Sequence, residues 1–247
     1  MNIKQFLDST YLKTANQAGL EDAAHKQIVF DFITDTIKGD YKCVMIRPEF
    51  VALAKTEIIK AKSNVLVGTV ISFPEGINTT QEKLEEAQQA IDNGVDELDY
   101  VIDYVAFKNG KTDYIKEQVY LGTKLGIDNN KLVKWIIETA ALSPIEIAQI
   151  SALVKNVVMK KFDEKYYDKV FVKSSTGFYK TQPDVPNGAT IEGITLMIEN
   201  ASPLPIKASG GVRNIDEALQ MIRLGVKRIG TSSADAITNG YTSTSDY

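Results

Sequence analysis

Two lysines close apolar runs in the second half of this chain. Val170-Phe-Val-Lys173 runs into Ser-Ser-Thr-Gly, and Leu204-Pro-Ile-Lys207 runs into Ala-Ser-Gly-Gly. Strand alternation puts Phe171, Lys173 and Ser175 on one face, and Pro205, Lys207 and Ser209 on one face of the next strand. If both faces line one desolvated site, burial and like-charge repulsion favour the neutral amine. At an ordinary pKa of about 10.4, only about 0.04% of a lysine is neutral at pH 7. Lowering the pKa by about 3 makes roughly a third of it nucleophilic and costs about 4 kcal/mol. Such an amine attacks a carbonyl and forms a Schiff base. Proton transfers would fall to Asp99 of Glu97-Leu-Asp99, with Lys207 and with Asp8 of Leu7-Asp8-Ser-Thr10 nearby. The competing reading is structural: a strand-end lysine commonly snorkels or pairs with an acid, and an acid there commonly caps the next helix. Two lysines on successive strands, each followed by small polar residues and glycine, bring the nucleophile level with that reading.

Two glycine-rich stretches carry a second signal. Ser209-Gly210-Gly211-Val-Arg213 and Gly230-Thr-Ser232-Ser233 follow the last two apolar runs. Glycine lets backbone N–H groups approach an anion closely, serine hydroxyls add donors, and a following helix N-terminus favours negative charge. Each stretch alone reads equally as a tight turn with a capping serine; together they point to a phosphate.

Composition removes other chemistries. The 247 residues include one Cys (Cys43) and one His (His25), so an intrachain disulfide, a Cys-rich metal site and a multi-histidine zinc centre are not expected. The expected metal complement is none. A net charge of −4 with interspersed signs argues against a nucleic-acid or anionic-membrane partner. No stretch approaches a membrane span and the first residues lack an apolar signal core, so a cytoplasmic location is expected.

These residues need a scaffold that brings strand ends together. Short β-branched runs recur at Phe6–Thr10, Cys43–Arg47, Val65–Phe73, Glu97–Asp103, Leu132–Thr139, Val170–Ser175, Pro205–Ser209 and Arg228–Thr231. Between them lie helical patterns such as Thr79–Asn93, with Leu84, Ala87, Ala90 and Ile91 at helical spacing and Gly94 closing it, and Ile215–Leu224 closed by Gly225. Lys155–Lys169 reads as a helix followed by a surface loop. Alternating strands and helices imply a parallel sheet, and eight strands in this length favour a single (β/α)8 barrel. The barrel is expected over residues 1–240, with 241–247 a polar, mobile tail. In such a barrel the site lies at the C-terminal strand ends, with phosphate after strands seven and eight.

The motifs resemble those of class I deoxyribose-phosphate aldolases. Val172-Lys-Ser-Ser-Thr-Gly-Phe178 is similar to the Lys-Thr-Ser-Thr-Gly segment around that family's Schiff-base lysine, and Ile206–Arg213 to its second-lysine segment. Asp96-Glu-Leu-Asp99 resembles its Asp-Glu-Val-Asp motif, Leu7–Thr10 its opening strand, Phe73-Pro-Glu-Gly76 the turn after its third strand, and Arg228–Ser233 its phosphate segment. The resemblance implies reversible cleavage of 2-deoxy-D-ribose 5-phosphate, a small phosphorylated sugar, to D-glyceraldehyde 3-phosphate and acetaldehyde, with no cofactor. It implies Lys173 as the imine-forming residue, Lys207 as the group lowering its pKa, Asp99 assisting proton movement, and Asp8 and Thr10 in support. Gly177, Gly210, Gly211, Gly230, Ser232 and Ser233 would surround the phosphate. It also allows a homodimer, and it matches Tyr247 to a terminal tyrosine that enters the site in some relatives; a frayed tail is the other reading of Tyr247.

The chain departs from the pattern at Ser174, at Phe178 (a lysine in some members), and at Tyr100 and Asp103-Tyr104 beside the fourth strand, which bears on substrate preference. Cys43 aligns with a near-site cysteine in some members, although a lone cysteine in an apolar run reads as core. Two other functions stay open: a Schiff-base aldolase for a different phosphorylated sugar, and a catalytically silent sugar-phosphate-binding module.

Overall fold

Eight parallel strands pair in sequence order and close on themselves, with the last joining the first. A computed structural model describes residues 1–183 and 185–242 of the chain. The strands are β1 (Leu7–Thr10), β2 (Cys43–Ile46), β3 (Leu66–Ile71), β4 (Glu97–Val101), β5 (Leu132–Ile136), β6 (Val170–Lys173), β7 (Ile206–Ser209) and β8 (Arg228–Thr231). Outside them lie α1 (Ala15–Ala18), α2 (Asp22–Gly39), α3 (Val51–Lys60), α4 (Thr80–Asp92), α5 (Tyr104–Lys108), α6 (Thr112–Asp128), α7 (Pro144–Lys161), α8 (Ile191–Ala201), α9 (Ile215–Leu224) and α10 (Ala234–Asn239). This is the (β/α)8 barrel expected from the alternating pattern.

Helix boundaries follow from local chemistry. Thr79 caps α4 and Ser143 caps α7, each in a reciprocal pairing with a glutamate three residues on (Glu82 and Glu146) that satisfies two otherwise orphaned N–H donors. Asn214 caps α9, and Gly225 ends it at φ +113°, a left-handed conformation that costs glycine little.

The apolar core lies between strands and helices. Tyr100 on β4 and Trp135 on β5 point outward and stack at 4.8 Å between ring centroids. Gly122 and Gly126 let α6 close over this layer: a Cβ on Gly122 would sit 2.8 Å from the Trp135 ring, and one on Gly126 2.2 Å from Val133. The outward placement of Tyr100 also corrects its expected bearing on substrate preference, because its ring lies in the helix layer.

Several expected strands run too long at their C-terminal ends. Ser72 and Glu138 take left-handed φ values of +57°, which turns the backbone out of the ladder after β3 and β5. Phe6 belongs instead to a short helical turn, Ile3–Phe6. The segment 155–169 is the second half of α7 plus a turn at Glu164–Lys169. His25 is buried on α2 between Tyr11 and Phe50, with Nε2 2.9 Å from the Lys13 carbonyl, so it is part of the packing. Among the described residues no helix is long and apolar enough to cross a membrane.

Ala normally improves a helix over Gly by about 1 kcal/mol. At Gly126 the clash with a β-branched strand residue opposes that gain, and overpacking costs about 1–3 kcal/mol. Gly126→Ala is therefore expected to lower the unfolding free energy by about 1–2 kcal/mol in urea titration; a stabilised variant would show that the α6–β5 contact yields freely.

Candidate active site inside the barrel

The interior of this barrel is charged. Alternation turns Asp8, Glu97, Asp99, Lys134, Lys173, Lys207 and Arg228 inward, and all are buried. Lys173 and Lys207 are direct register partners on β6 and β7, and Asp99 is paired in register with Lys134 on β5. The side chains then meet near the barrel axis. Asp99 Oδ2 accepts from Lys173 Nζ and from Lys207 Nζ, both at 2.9 Å, while its Oδ1 accepts from Lys134 Nζ at 2.6 Å. Lys207 also pairs with Asp8 at 2.5 Å. Arg228 donates to Asp8 through Nε at 2.6 Å, and to both oxygens of Glu97 at 2.8 Å. Lys134 bridges to Glu97 at 2.6 Å.

Four cationic side chains thus share three carboxylates at hydrogen-bond distance, which leaves one cation short of a partner, and Glu138 beyond β5 acts on Lys173 through its charge alone. Burial penalises every charge here, so the group with the poorest compensation holds its proton least tightly. Lys173 is that group. Burial lowers its pKa to about 8; Asp99, its one carboxylate partner, acts against this, and Lys207 and Lys134 repel the proton. At that value about a tenth of the amine is neutral at pH 7. Lys207 goes the other way: burial opposes its charge, but Asp8 and Asp99 outweigh it and hold the ammonium well above the ordinary range. Mutual repulsion therefore does not neutralise both lysines. The carboxylates sort them into one amine and one fixed cation. Asp99 is held well below the usual carboxylate range because its lysine partners outweigh its burial.

Two interior glycines make room for this. A Cβ on Gly230 would lie 2.7 Å from Ser209 Oγ and 3.0 Å from Lys207 Cε. One on Gly68 would lie 2.5 Å from Met45 Cε and 2.9 Å from Cys43 Sγ. Cys43 faces inward beside Asp8 and Glu97, where burial and those carboxylates push its thiol well above its usual range. These three groups have ligand atoms within 4.8 Å of one another. The Arg228 guanidinium already balances both carboxylates, and a protonated thiol is a poor metal ligand, so the donor set suits the arginine.

The residues singled out from sequence fall in three places. Lys173, Lys207, Asp99 and Asp8 converge. Thr10, on the same strand as Asp8, donates to the Asp8 carbonyl at 2.8 Å. Gly177, Gly210 and Gly211 occupy the loops after β6 and β7 with φ near +80°, and Gly210 packs against Gly177 and Gly188. Ser233, after β8, donates its N–H to Thr231 Oγ1 at 2.9 Å. Gly230 lies deeper, within β8, where its lack of a side chain serves Lys207. Ser232 lines a cavity between α2 and α10 with Ser9, Thr36 and Tyr41, on the helix side of the sheet. Tyr247 lies outside the described residues.

Sequence reading assigned no role to Lys134, Glu97 or Arg228. A signal was present: Leu132-Val-Lys134-Trp-Ile is an apolar run interrupted by a lysine, and Glu97 shares the strand face of Asp99. Phe178, Asp103 and Tyr104, departures from the family pattern in sequence, fall at the rim of the barrel. Phe73 and Phe178 meet edge to face at 5.0 Å with the Arg47 guanidinium over Phe73. Tyr104 and Tyr179 form a second edge-to-face pair. Asp103 caps α5 by accepting from Ala106 N at 2.8 Å.

No family model matches the chain. The deoxyribose-phosphate aldolase of Thermococcus gammatolerans is 35% identical over 241 residues, covering 97% of this chain and 96% of that protein. A solved structure described as QR15, an aldolase, is 29% identical, with a TM-score of 0.80 over 97% of this chain and 95% of its own. The deoxyribose phosphate aldolase of Aeropyrum pernix, described as a unique tetramer, shares the fold at 24% identity, with a TM-score of 0.75 over 96% of this chain and 89% of its own.

The ion network makes two predictions. Arg228→Met leaves Asp8 and Glu97 undercompensated in the interior, and breaking such a buried pair costs about 3–5 kcal/mol; urea titration should show a loss of that size. Glu97 is one acid-sensitive member of the network. Although burial raises its pKa, Lys134 and Arg228 outweigh this and lower it from 4.5 to about 2. A depressed folded-state pKa gives stability that is complete above the unfolded value and lost as pH falls through the folded one. The unfolding free energy should decline from about pH 4.5 towards about pH 2, and this decline should shrink in Glu97→Gln.

Proposed function

The chain belongs to the deoxyribose-phosphate aldolase family, and on that premise we infer that its barrel reversibly cleaves 2-deoxy-D-ribose 5-phosphate to D-glyceraldehyde 3-phosphate and acetaldehyde through an imine on Lys173. The observation that carries the residue assignment is the buried Lys173 amine, its pKa lowered to about 8, set between Asp99 and the fixed cation Lys207.

The neutral Lys173 amine attacks C1 of the open-chain sugar, and loss of water gives the iminium. A base removes the proton of the C3 hydroxyl; the C2–C3 bond breaks, C3 leaves as the aldehyde of glyceraldehyde 3-phosphate, and the electron pair enters the iminium to form an enamine. Protonation at C2 and addition of water then release acetaldehyde and restore the amine. Lys207 supplies a permanent positive charge beside the nitrogen and favours the unprotonated amine. Asp99 holds both nitrogens at one point. A carboxylate so strongly stabilised accepts a proton poorly, so its part in proton movement runs through the lysines and water it orients. Asp8 holds Lys207 from the side of β1, and Thr10 bonds the Asp8 backbone on the same strand.

The phosphate fits the loops after β6, β7 and β8. Gly177 and Gly211, in left-handed conformations after β6 and β7, offer backbone N–H groups at the barrel mouth, where phosphate sites of such barrels form, with the Ser233 hydroxyl after β8 as a further donor. The rest of the reading is a cytoplasmic enzyme assembled from copies of itself, a homodimer being the simplest closed assembly; light scattering of the purified protein tests the latter.

Borohydride trapping with acetaldehyde should label Lys173, and Lys173→Ala should abolish both labelling and turnover while the protein still unfolds cooperatively. A label on Lys207 instead would reverse the two assignments. Lys207→Leu should slow the reaction and raise the pH at which the amine becomes active above about 8. Removing that cation leaves three cations for three carboxylates, so the Lys173 proton becomes the balancing charge. An unchanged pH profile would refute the charge-sorting account.

A further inference from the structure

Glu138 is buried, with 1% of its surface exposed, just beyond the end of β5. Ile136 is the register partner of Lys173, and Glu138 follows it by two residues, nearer the mouth, where its carboxylate turns towards the loop after Lys173. Two strand residues rise about 6.6 Å. The carboxylate is anchored on one side only: Oε2 accepts from Thr176 N at 3.1 Å and from the Thr176 hydroxyl, on the loop that follows Lys173. Its other oxygen, Oε1, is buried and makes no hydrogen bond, while the nearby Ala140 N–H and the Lys173 charge favour the ionised carboxylate against its burial. The backbone is left-handed, at φ +57° and ψ +70°, which a glutamate adopts only when its surroundings require it. Tyr104, paired edge to face with Tyr179, lies close enough that burial and then the Glu138 charge push its phenol up to about 12.

A strained backbone that buries half of a carboxylate without a partner is costly, because a buried acceptor left empty costs about 1–3 kcal/mol. A donor supplied by the substrate removes that cost. Resting on the aldolase reading, the sugar bound as an imine at Lys173 extends from the amine towards the mouth. Its C3 hydroxyl loses a proton in the reaction, whereas the C4 hydroxyl does not react and lies further from the imine, at the level of Glu138.

We propose that Glu138 Oε1 accepts the hydrogen bond of this non-reacting hydroxyl, C4–OH of deoxyribose 5-phosphate and C2–OH of glyceraldehyde 3-phosphate, making Glu138 a specificity-determining residue for hydroxylated aldehydes. Thr176 is its positioning residue, fixing the carboxylate through Oε2 so that Oε1 stays directed at the substrate.

The test is condensation of acetaldehyde with D-glyceraldehyde 3-phosphate, compared with 3-oxopropyl phosphate, which lacks the hydroxyl. Glu138→Gln keeps an oxygen for Thr176 and turns the free acceptor into an amide donor. The ratio of kcat/KM for the hydroxylated over the deoxy acceptor should fall about 10- to 100-fold in the variant, while borohydride still traps acetaldehyde on Lys173. An equal fall on both acceptors would assign Glu138 to loop support alone and overturn the proposal, as would an unchanged ratio. If Glu138→Gln does not trap acetaldehyde, Glu138→Asn, which tolerates the left-handed backbone and withdraws the acceptor, should show the same fall in ratio. Absence of condensation in the unaltered protein would overturn the aldolase reading and this proposal with it; condensation with an unchanged ratio in the variant would overturn this proposal alone.

Discussion

Four cations share three carboxylates at hydrogen-bond distance in the dry interior of a small barrel, and much of the structure is arranged around that imbalance. In water each group would be solvated separately and each lysine protonated. Inside the barrel every charge must be balanced by a neighbour at hydrogen-bond distance. Arg228 and Lys207 find two carboxylates each, and so does Lys134. Lys173 finds only Asp99, whose contacted oxygen it shares with Lys207. The surplus proton is therefore least well held on Lys173, and a reactive amine results from the count of neighbours.

Such an interior needs an apolar exterior to hold it. The strands carry their hydrophobic residues on the helix side, where Tyr100, Trp135, Val133 and Val172 lie in one continuous cluster with residues of the helices. That layer supplies the burial that offsets desolvation of the charged core. The interior keeps a smaller apolar patch of Leu12, Cys43, Met45 and Val70, with Phe73 and Phe178 packed against it. One wall near the lysines is therefore polar and the other apolar, which suits a substrate with a hydroxylated, phosphorylated end and a two-carbon apolar end.

Much of this was legible in residue order. The eight runs, the glycines that close α4 and α9, the two strand-end lysines and Asp99 were visible because each is a local signal, set by alternation, helical spacing or turn chemistry. Predicted strands overran their ends at Ser72–Phe73 and Ile137–Thr139 because apolar residues continue past the point where a left-handed residue leaves the ladder. Gly230 has the spacing of a phosphate-loop glycine, yet it sits against Lys207. That choice depends on whether the residue is inside or beyond the strand end, and strand stagger decides it.

The sequence by itself determined that this chain alternates strands and helices, that its lysines end strands, and that it lacks the histidines and cysteines of a zinc enzyme. Only the tertiary structure decided which lysine is the amine. Lys173 and Lys207 have nearly the same local setting, and their difference arises from Asp8, Asp99 and Lys134, which are 165, 74 and 39 residues distant from Lys173 in the chain. Closing the barrel sets those neighbours within hydrogen-bond distance of one another. Charge compensation acts through space, so the sign of a lysine's pKa shift is a property of the closed barrel.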